Sequence, residues 1–434
     1  MVVESDPPGR YPDLLVPLDE GGFALHGDRD ALLWLRIEVP AEAAAGLYRG
    51  RVELRTADGQ TGYCPLAVRV YEVSLPQPQA YALGLEVWQT WSPLAQQYEV
   101  ATFSEPWWEL VEAYLKYLAD LGAGTAQIGR GYFDWRRVAP GQWQFDFSRC
   151  DRYLKLCEKL GISRAISYLG MIDNTAATQL HYLDAAGELI SVEAEPGDEI
   201  YDEAWSAFAE ALAKHFREMG WFDKLYIWTA DRPTTEHQLA AFQRAVNLLR
   251  AADPEYRVAV SIDSAAAVPS LTLEVNRFLL SGDATFVRSP ARGDEQVSGP
   301  ELWLSCGPFL ALGQPSGHAY APGAHAFWGR FDGVAPCSTY LGWSAEIKMD
   351  APQVAEGFGG LVYPGADGPL GSLRAERMRL GLQDVELWRA AGVEKTWEWY
   401  FYSGGEEGPK QLSECAEQLR HRALVAAARM NSGE

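Results

Sequence analysis

The sequence predicts an α/β protein: a (β/α)8 barrel of the TIM type over residues 80–434, preceded by a small β-sandwich over residues 1–79. Two observations carry that reading. From about Tyr81, short apolar strands alternate with longer amphipathic helices, and before it apolar and polar residues alternate between turn clusters. A length of 434 residues accommodates a barrel of about 250 together with a smaller domain. The same alternation also allows a doubly wound open sheet as the alternative.

In the first domain, 33–39, 48–54 and 66–73 read as half-buried strands, and Ala57-Asp58-Gly59 is one of the turns between them. Pro76 and Pro78 mark the linker. In the barrel the expected strands are 83–88, 125–129, 165–169, 224–229, 258–262, 285–288, 301–306 and 338–343. Three helices have clear stripes of period 3.6. They are Trp205, Phe208, Ala209, Leu212 and Phe216; then Leu239, Phe242, Val246 and Leu249; then Cys150, Tyr153, Leu154 and Cys157. Ser148, with Asp151 three residues on, is expected to open the last of these, and Gly161 to close it.

Composition narrows the function. The 37 basic and 59 acidic residues leave a net charge of −22, which argues against nucleic acid and against anionic membranes, since both need clustered positive charge. No apolar run approaches the ~18 residues of a membrane span. Met1 to Arg10 is polar with two prolines, unlike a signal peptide, so a cytoplasmic protein is expected unless the N-terminus is trimmed. The six cysteines lie far apart with no paired Cys/His spacing, so buried free thiols are expected, and neither metal nor cofactor. The 16 tryptophans suit stacking on sugar rings, and equally suit a large core.

Active sites of such barrels lie at the carboxyl ends of the strands. The polar residues expected there are Glu86, Asp173, Asp231, Arg232, Asp263 and Glu346, with Trp88, Trp228 and Trp343 as aromatic surfaces. Capping and turn roles compete at each, most strongly for Asp263 and Asp231. His237 is the one histidine near an expected strand end. The stretch 365–371 is glycine-rich without the strand and helix context of a dinucleotide site, and reads as a turn.

Trp143-Gln-Phe-Asp-Phe-Ser-Arg-Cys-Asp-Arg-Tyr-Leu-Lys-Leu-Cys-Glu-Lys-Leu-Gly-Ile162 resembles the second helix of many barrel glycosidases, and further motifs resemble glycoside hydrolase family 123. Gly220-Trp-Phe-Asp-Lys-Leu-Tyr-Ile-Trp-Thr-Ala-Asp-Arg-Pro233 is similar to the family's strand-four signature, which ends in Asp-Glu-Pro. Gly360-Leu-Val-Tyr-Pro-Gly-Ala-Asp-Gly-Pro-Leu-Gly-Ser-Leu-Arg374, with Arg379-Leu-Gly-Leu-Gln-Asp-Val-Glu-Leu387, resembles its ending. Tyr11-Pro-Asp-Leu-Leu-Val-Pro17 and Gly46-Leu-Tyr-Arg-Gly50 look like its preceding β-sandwich. The resemblance implies a β-N-acetylgalactosaminidase with substrate-assisted retaining catalysis, in which the sugar's own acetamido oxygen attacks the anomeric carbon. It implies that Asp231 holds the acetamido N–H.

At position 232 the family's acid is replaced by Arg, which has no proton to give near neutral pH. General acid catalysis supplies about 10²- to 10⁴-fold in rate. Glu236 is the nearest substitute in sequence, and Glu86 and Asp263 are candidates from neighbouring strands. The Arg232 fork suits a carboxylate or sulfate, so an anionic sugar is a further expectation. The alternative is a catalytically impaired, carbohydrate-binding barrel.

Overall fold

The computed structural model describes residues 13–18, 22–23, 32–89, 91–172, 176–263, 275–280, 299–306, 310, 316–335, 361–393, 418 and 420–429. The chain first forms an antiparallel hairpin, β1 (Gly46–Arg55) with β2 (Thr61–Val70). The turn between them places Gly59 at φ 86°, a left-handed conformation that suits glycine. Among the described residues of 1–79, β1 and β2 form a two-stranded sheet. Residues 33–39 form no strand, a correction to the sequence reading, and Leu33, Leu35, Ile37 and Val39 are exposed.

Then comes the alternating part. It begins with β3 (Gly84–Leu85), α1 (Ser92–Gln97), α2 (Glu105–Leu121) and β4 (Thr125–Gly129). Next are β5 (Asp134–Ala139), β6 (Gln142–Asp146), α3 (Ser148–Lys159), β7 (Ala165–Leu169), β8 (Thr178–Leu183), β9 (Leu189–Ala194) and α4 (Glu199–Met219). The series continues with β10 (Leu225–Asp231), α5 (Glu236–Ala252), β11 (Arg257–Ile262), β12 (Arg277–Leu280) and β13 (Glu301–Ser305). It ends with α6 (Ser316–Gly329), β14 (Gly333–Ala335), β15 (Tyr363–Pro364), β16 (Pro369–Leu370) and α7 (Leu373–Ala390).

Eight of these strands form one sheet in the order β3-β14-β13-β12-β11-β10-β7-β4, every pairing parallel. The last strand pairs with the first, and the Gly124 amide donates to the Leu85 carbonyl at 3.0 Å across the remaining gap. The fold is therefore the (β/α)8 barrel, and the open-sheet alternative is excluded. Two strands sit earlier than expected. The sixth is β12 and the eighth is β14, whereas 285–288 and 338–343 lie outside the described residues.

Strand alternation sorts the core into two layers. Leu85, Ile128, Ile166, Ile227, Val260, Phe278, Leu304 and Val334 face outward into one large cluster with the helices. Ala165, Tyr226, Trp228, Ala259, Leu279, Trp303 and Ala335 face inward and form a separate cluster. Trp303 fills the space left at Gly84 and Gly333, where an added Cβ would lie 2.6 and 2.7 Å from its ring atoms. The helix stripes pack as expected, except that Leu239 is exposed. At the start of α3 the Asp146 carboxylate, not Ser148, caps the helix by accepting from the Ser148 amide at 2.7 Å, and Asp151 instead meets His215. Gly161 follows the helix at φ 81°, as its closing role requires. Cys150, Cys157 and Cys306 are buried free thiols, but Cys64 is exposed; Cys337 and Cys415 lie outside the described residues.

The two terminal motifs meet each other. Asp13 is buried, accepts from the Tyr363 hydroxyl at 2.6 Å and from Arg374 Nη2 at 2.8 Å, and so pins residues 13–18 to the start of α7. Gly381 of α7 lies against the α6 backbone, where a Cβ would clash with the Tyr320 carbonyl at 2.2 Å. Glu386 accepts from the Ala82 and Leu83 amides at 3.0 and 3.2 Å and so fixes the entry to β3. These motif residues build the barrel wall. Among the described residues no helix is long and apolar enough to cross a membrane, and no cluster of His, Cys, Asp and Glu could hold a metal ion.

Candidate active site

The mouth of the barrel at β10 is shaped by a bulge. Register passes from Trp228 opposite Ala259 to Ala230 opposite Val260, so two residues of β10 face one of β11. Trp228 packs inside the barrel and Ala230 in the outer layer, and the extra residue brings Asp231 back to the inner side opposite Ser261. The Ser261 hydroxyl donates to Asp231 Oδ1. The Arg232 amide donates to the Ser261 carbonyl at 3.0 Å.

Arg232 takes φ 48°, uncommon for a side chain with a Cβ. This turn folds its guanidinium back onto its neighbour: Nε lies 3.3 Å from Oδ1 and Nη2 lies 3.1 Å from Oδ2 of Asp231. The two side chains are 49% and 33% exposed, so water screens the pair and it contributes about 0–1 kcal/mol.

The other expected site residues divide. Glu236 is the first residue of α5, exposed, with no side-chain partner among the described residues. Asp263 follows the end of β11 and is exposed. His237 pairs with Glu195 at 2.8 Å, tying the end of β9 to α5. Trp88 and Trp228, from strands across the barrel, touch edge to face with centroids 5.7 Å apart. They form an aromatic floor beneath the mouth. Asp173, Trp343 and Glu346 lie outside the described residues.

Residues 88–278 match the family model of the glycoside hydrolase 123 catalytic domain. That span includes the bulged strand and the Asp231-Arg232 pair. This barrel resembles glycoside hydrolase family 123. Among solved structures, the chain is similar to a family 123 glycoside hydrolase from Clostridium perfringens, studied for glycolipid glycan hydrolysis. The TM-score is 0.73 at 16% identity, over 91% of this chain and 78% of that one. A family 5 glycoside hydrolase from Bacteroides vulgatus overlaps more loosely, with a TM-score of 0.39 at 10% identity over 71% of this chain and 67% of that one. No curated protein matches. Over residues 88–278 the chain is thus similar to a glycoside hydrolase catalytic domain.

Beneath the mouth at Asp231 lies a polar group that the sequence reading found only in part. Glu86 follows β3, faces inward and is fully buried. Its Oε2 lies 3.3 Å from Nη1 of Arg277, itself 2% exposed. The same guanidinium gives its Nε to Glu301 Oε2 at 2.8 Å and stacks between Tyr226 and Trp303, 3.7 and 4.4 Å from their centroids. Glu301 also accepts from the Tyr226 hydroxyl at 2.8 Å and from Trp303 Nε1 at 2.9 Å.

The two carboxyls thus diverge. Burial pushes Glu86 up, because the single Arg277 contact and the nearby Ser167 and Trp88 groups do not offset it. Burial also works on Glu301, but Arg277, Tyr226 and Trp303 hold it below the usual carboxylate range. Sequence pattern named Glu86 but not Ser261, Ser167, Arg277 or Glu301. The available signal was the inward parity of each strand once its register is fixed.

Proposed function

We propose that the protein acts on a hexosamine-type glycoside by a substrate-assisted retaining route at the mouth formed by Asp231 and Arg232. The observation that supports it is the bulge in β10, which delivers Asp231 to the inner face of the barrel mouth with Ser261 orienting its carboxylate. Asp231 takes the acetamido N–H of the sugar, so that the acetamido oxygen attacks the anomeric carbon and no enzyme nucleophile is required. Trp88 and Trp228 offer an apolar surface beneath the ring. Arg232 swings off Asp231 when sugar enters. Its planar fork then faces the ligand, which favours a sugar carrying an anionic substituent.

Arg232 supplies no proton, so the reaction depends on the leaving group. Aryl glycosides with acidic phenols leave unassisted. Alkyl glycosides are slower by the ~10²- to 10⁴-fold that a general acid provides, unless Glu236 supplies it. A second reading is a catalytically impaired, sugar-binding barrel. It is favoured by the Arg232 fork, which engages both Asp231 oxygens.

Initial rates on aryl β-N-acetylgalactosaminides test the proposal. Wild type is expected to release phenol and Asp231→Asn to lose that activity. Equal rates for the two proteins would contradict the substrate-assisted route, and an inert wild type that still binds the sugar would establish the second reading. Glu236→Gln slows alkyl glycosides specifically if Glu236 is the substitute acid.

A further inference from the structure

Thr229 is the residue that the β10 bulge leaves without an opposite number, since Trp228 faces Ala259 and Ala230 faces Val260. It is fully buried, and its hydroxyl donates to the Ala259 carbonyl at 3.2 Å. The extra residue is thus tied by its own side chain to the strand it bulges away from. Without the bulge, alternation from the inward Trp228 would turn Asp231 toward the helices. The Thr229 hydroxyl therefore supports the register on which the inward placement of Asp231 depends.

Ser261 completes the placement from the neighbouring strand. It is 3% exposed, and its hydroxyl has a fixed donor and acceptor sense. The Arg232 amide only donates, and it reaches Ser261 Oγ at 3.2 Å as well as the Ser261 carbonyl at 3.0 Å. A carboxylate only accepts, so the hydroxyl hydrogen points at Asp231 Oδ1. The two oxygens of Asp231 are thereby made unequal. Oδ1 is anchored to a buried group of β11, whereas Oδ2 meets Nη2 of Arg232 at 3.1 Å, on a side chain that is 49% exposed.

We propose that Thr229 and Ser261 are positioning residues that assign the two oxygens of Asp231. Oδ1 stays on the scaffold, and Oδ2 takes the acetamido N–H of the sugar once the Arg232 guanidinium is displaced. The inference rests on the reading of Asp231 given above. It adds that acetamido recognition is set by two hydroxyls, one from the bulge and one from β11, that act through Asp231.

Calorimetry with N-acetylgalactosamine and with galactose, which lacks the acetamido group, tests it. The proteins are wild type, Ser261→Ala, Ser261→Thr, Thr229→Val and Thr229→Ser, each checked for native circular dichroism. Wild type is expected to favour N-acetylgalactosamine. In Ser261→Ala that preference should fall about tenfold, the scale of a hydrogen bond to a charged group, with galactose binding unchanged. Ser261→Thr, which keeps the hydroxyl, should restore it. Thr229→Val should lower the preference by about threefold, and Thr229→Ser should restore it. In an Asp231→Asn background Ser261→Ala should change the preference no further, a comparison that stands whether or not Thr229→Val folds. A wild-type preference that survives Ser261→Ala would overturn the inference and leave the role of Asp231 standing. So would an equal loss for both sugars, which marks a merely structural role. A wild type with no preference for the acetamido sugar would overturn the reading of Asp231 and the inference with it.

Discussion

Two arginines in this barrel meet carboxylates, one at the mouth and one in the interior, and they differ in nearly every physical respect. Arg232 pairs with its own neighbour on a bulged strand end, half exposed to water. Arg277 joins groups from three strands, buried and stacked between two aromatic rings. The first pair is local and screened by water, so it adds little to stability. The second exists only when the barrel is closed, and removing its cation strands two carboxyls in a low-dielectric interior. The contrast separates a water-screened local pair from one that holds the wall.

Variants at the two arginines should therefore diverge. Arg277→Met should cost about 3–5 kcal/mol of stability in chemical denaturation, the scale for breaking a buried pair; a loss below about 1 kcal/mol would mean the interior network is loosely held. Gly333→Ala pushes a methyl group into the Trp303 ring, and overpacking of that kind costs about 1–3 kcal/mol, read as a lowered midpoint. Arg232→Ala should change stability by about 1 kcal/mol or less, since the pair is exposed. A much larger loss would make the clasp a structural element.

The smallest expected effect is a pH dependence. Glu86 has a raised folded pKa, so between the ordinary Glu value and that raised value the unfolded chain has lost the proton that the native state keeps. Its contribution is present at low pH and is lost as pH rises through the folded value. Glu86→Gln removes that loss, so stability curves of variant and wild type should draw apart in the variant's favour as pH increases. Parallel curves would place the buried proton elsewhere.

How much of this was legible in the sequence varies with how local each signal is. Strands 125–129 and 165–169 were read to the residue because each is a short run bounded by turn residues. β12 was missed because it offers only three apolar residues after Arg277, and that arginine is received inside the barrel by two distant glutamates. β14 has just 3 residues, too few to show any period. The hairpins β5–β6 and β8–β9 were missed too: they pair with each other across two separate loops, Arg136 opposite Leu183.

At the site, Asp231 and Arg232 stood out through one strand motif. Ser261, Ser167 and Arg277 did not, because what makes them neighbours is closure of the sheet rather than spacing along the chain. The tryptophan count also found a bland explanation in part: Trp135 and Trp143 pack on one another and against Phe145, between the extra hairpins and α4.

Under the proposed function, Arg232 stands where the family that this barrel resembles keeps its proton donor. Hydrolysis of an alkyl β-N-acetylgalactosaminide by Arg232→Glu, measured beside wild type at neutral pH, tests it most directly. The account predicts a gain of about 10²- to 10⁴-fold, the contribution of a restored general acid. An Arg232→Glu protein that folds, binds the sugar and hydrolyses it no faster than wild type would contradict it.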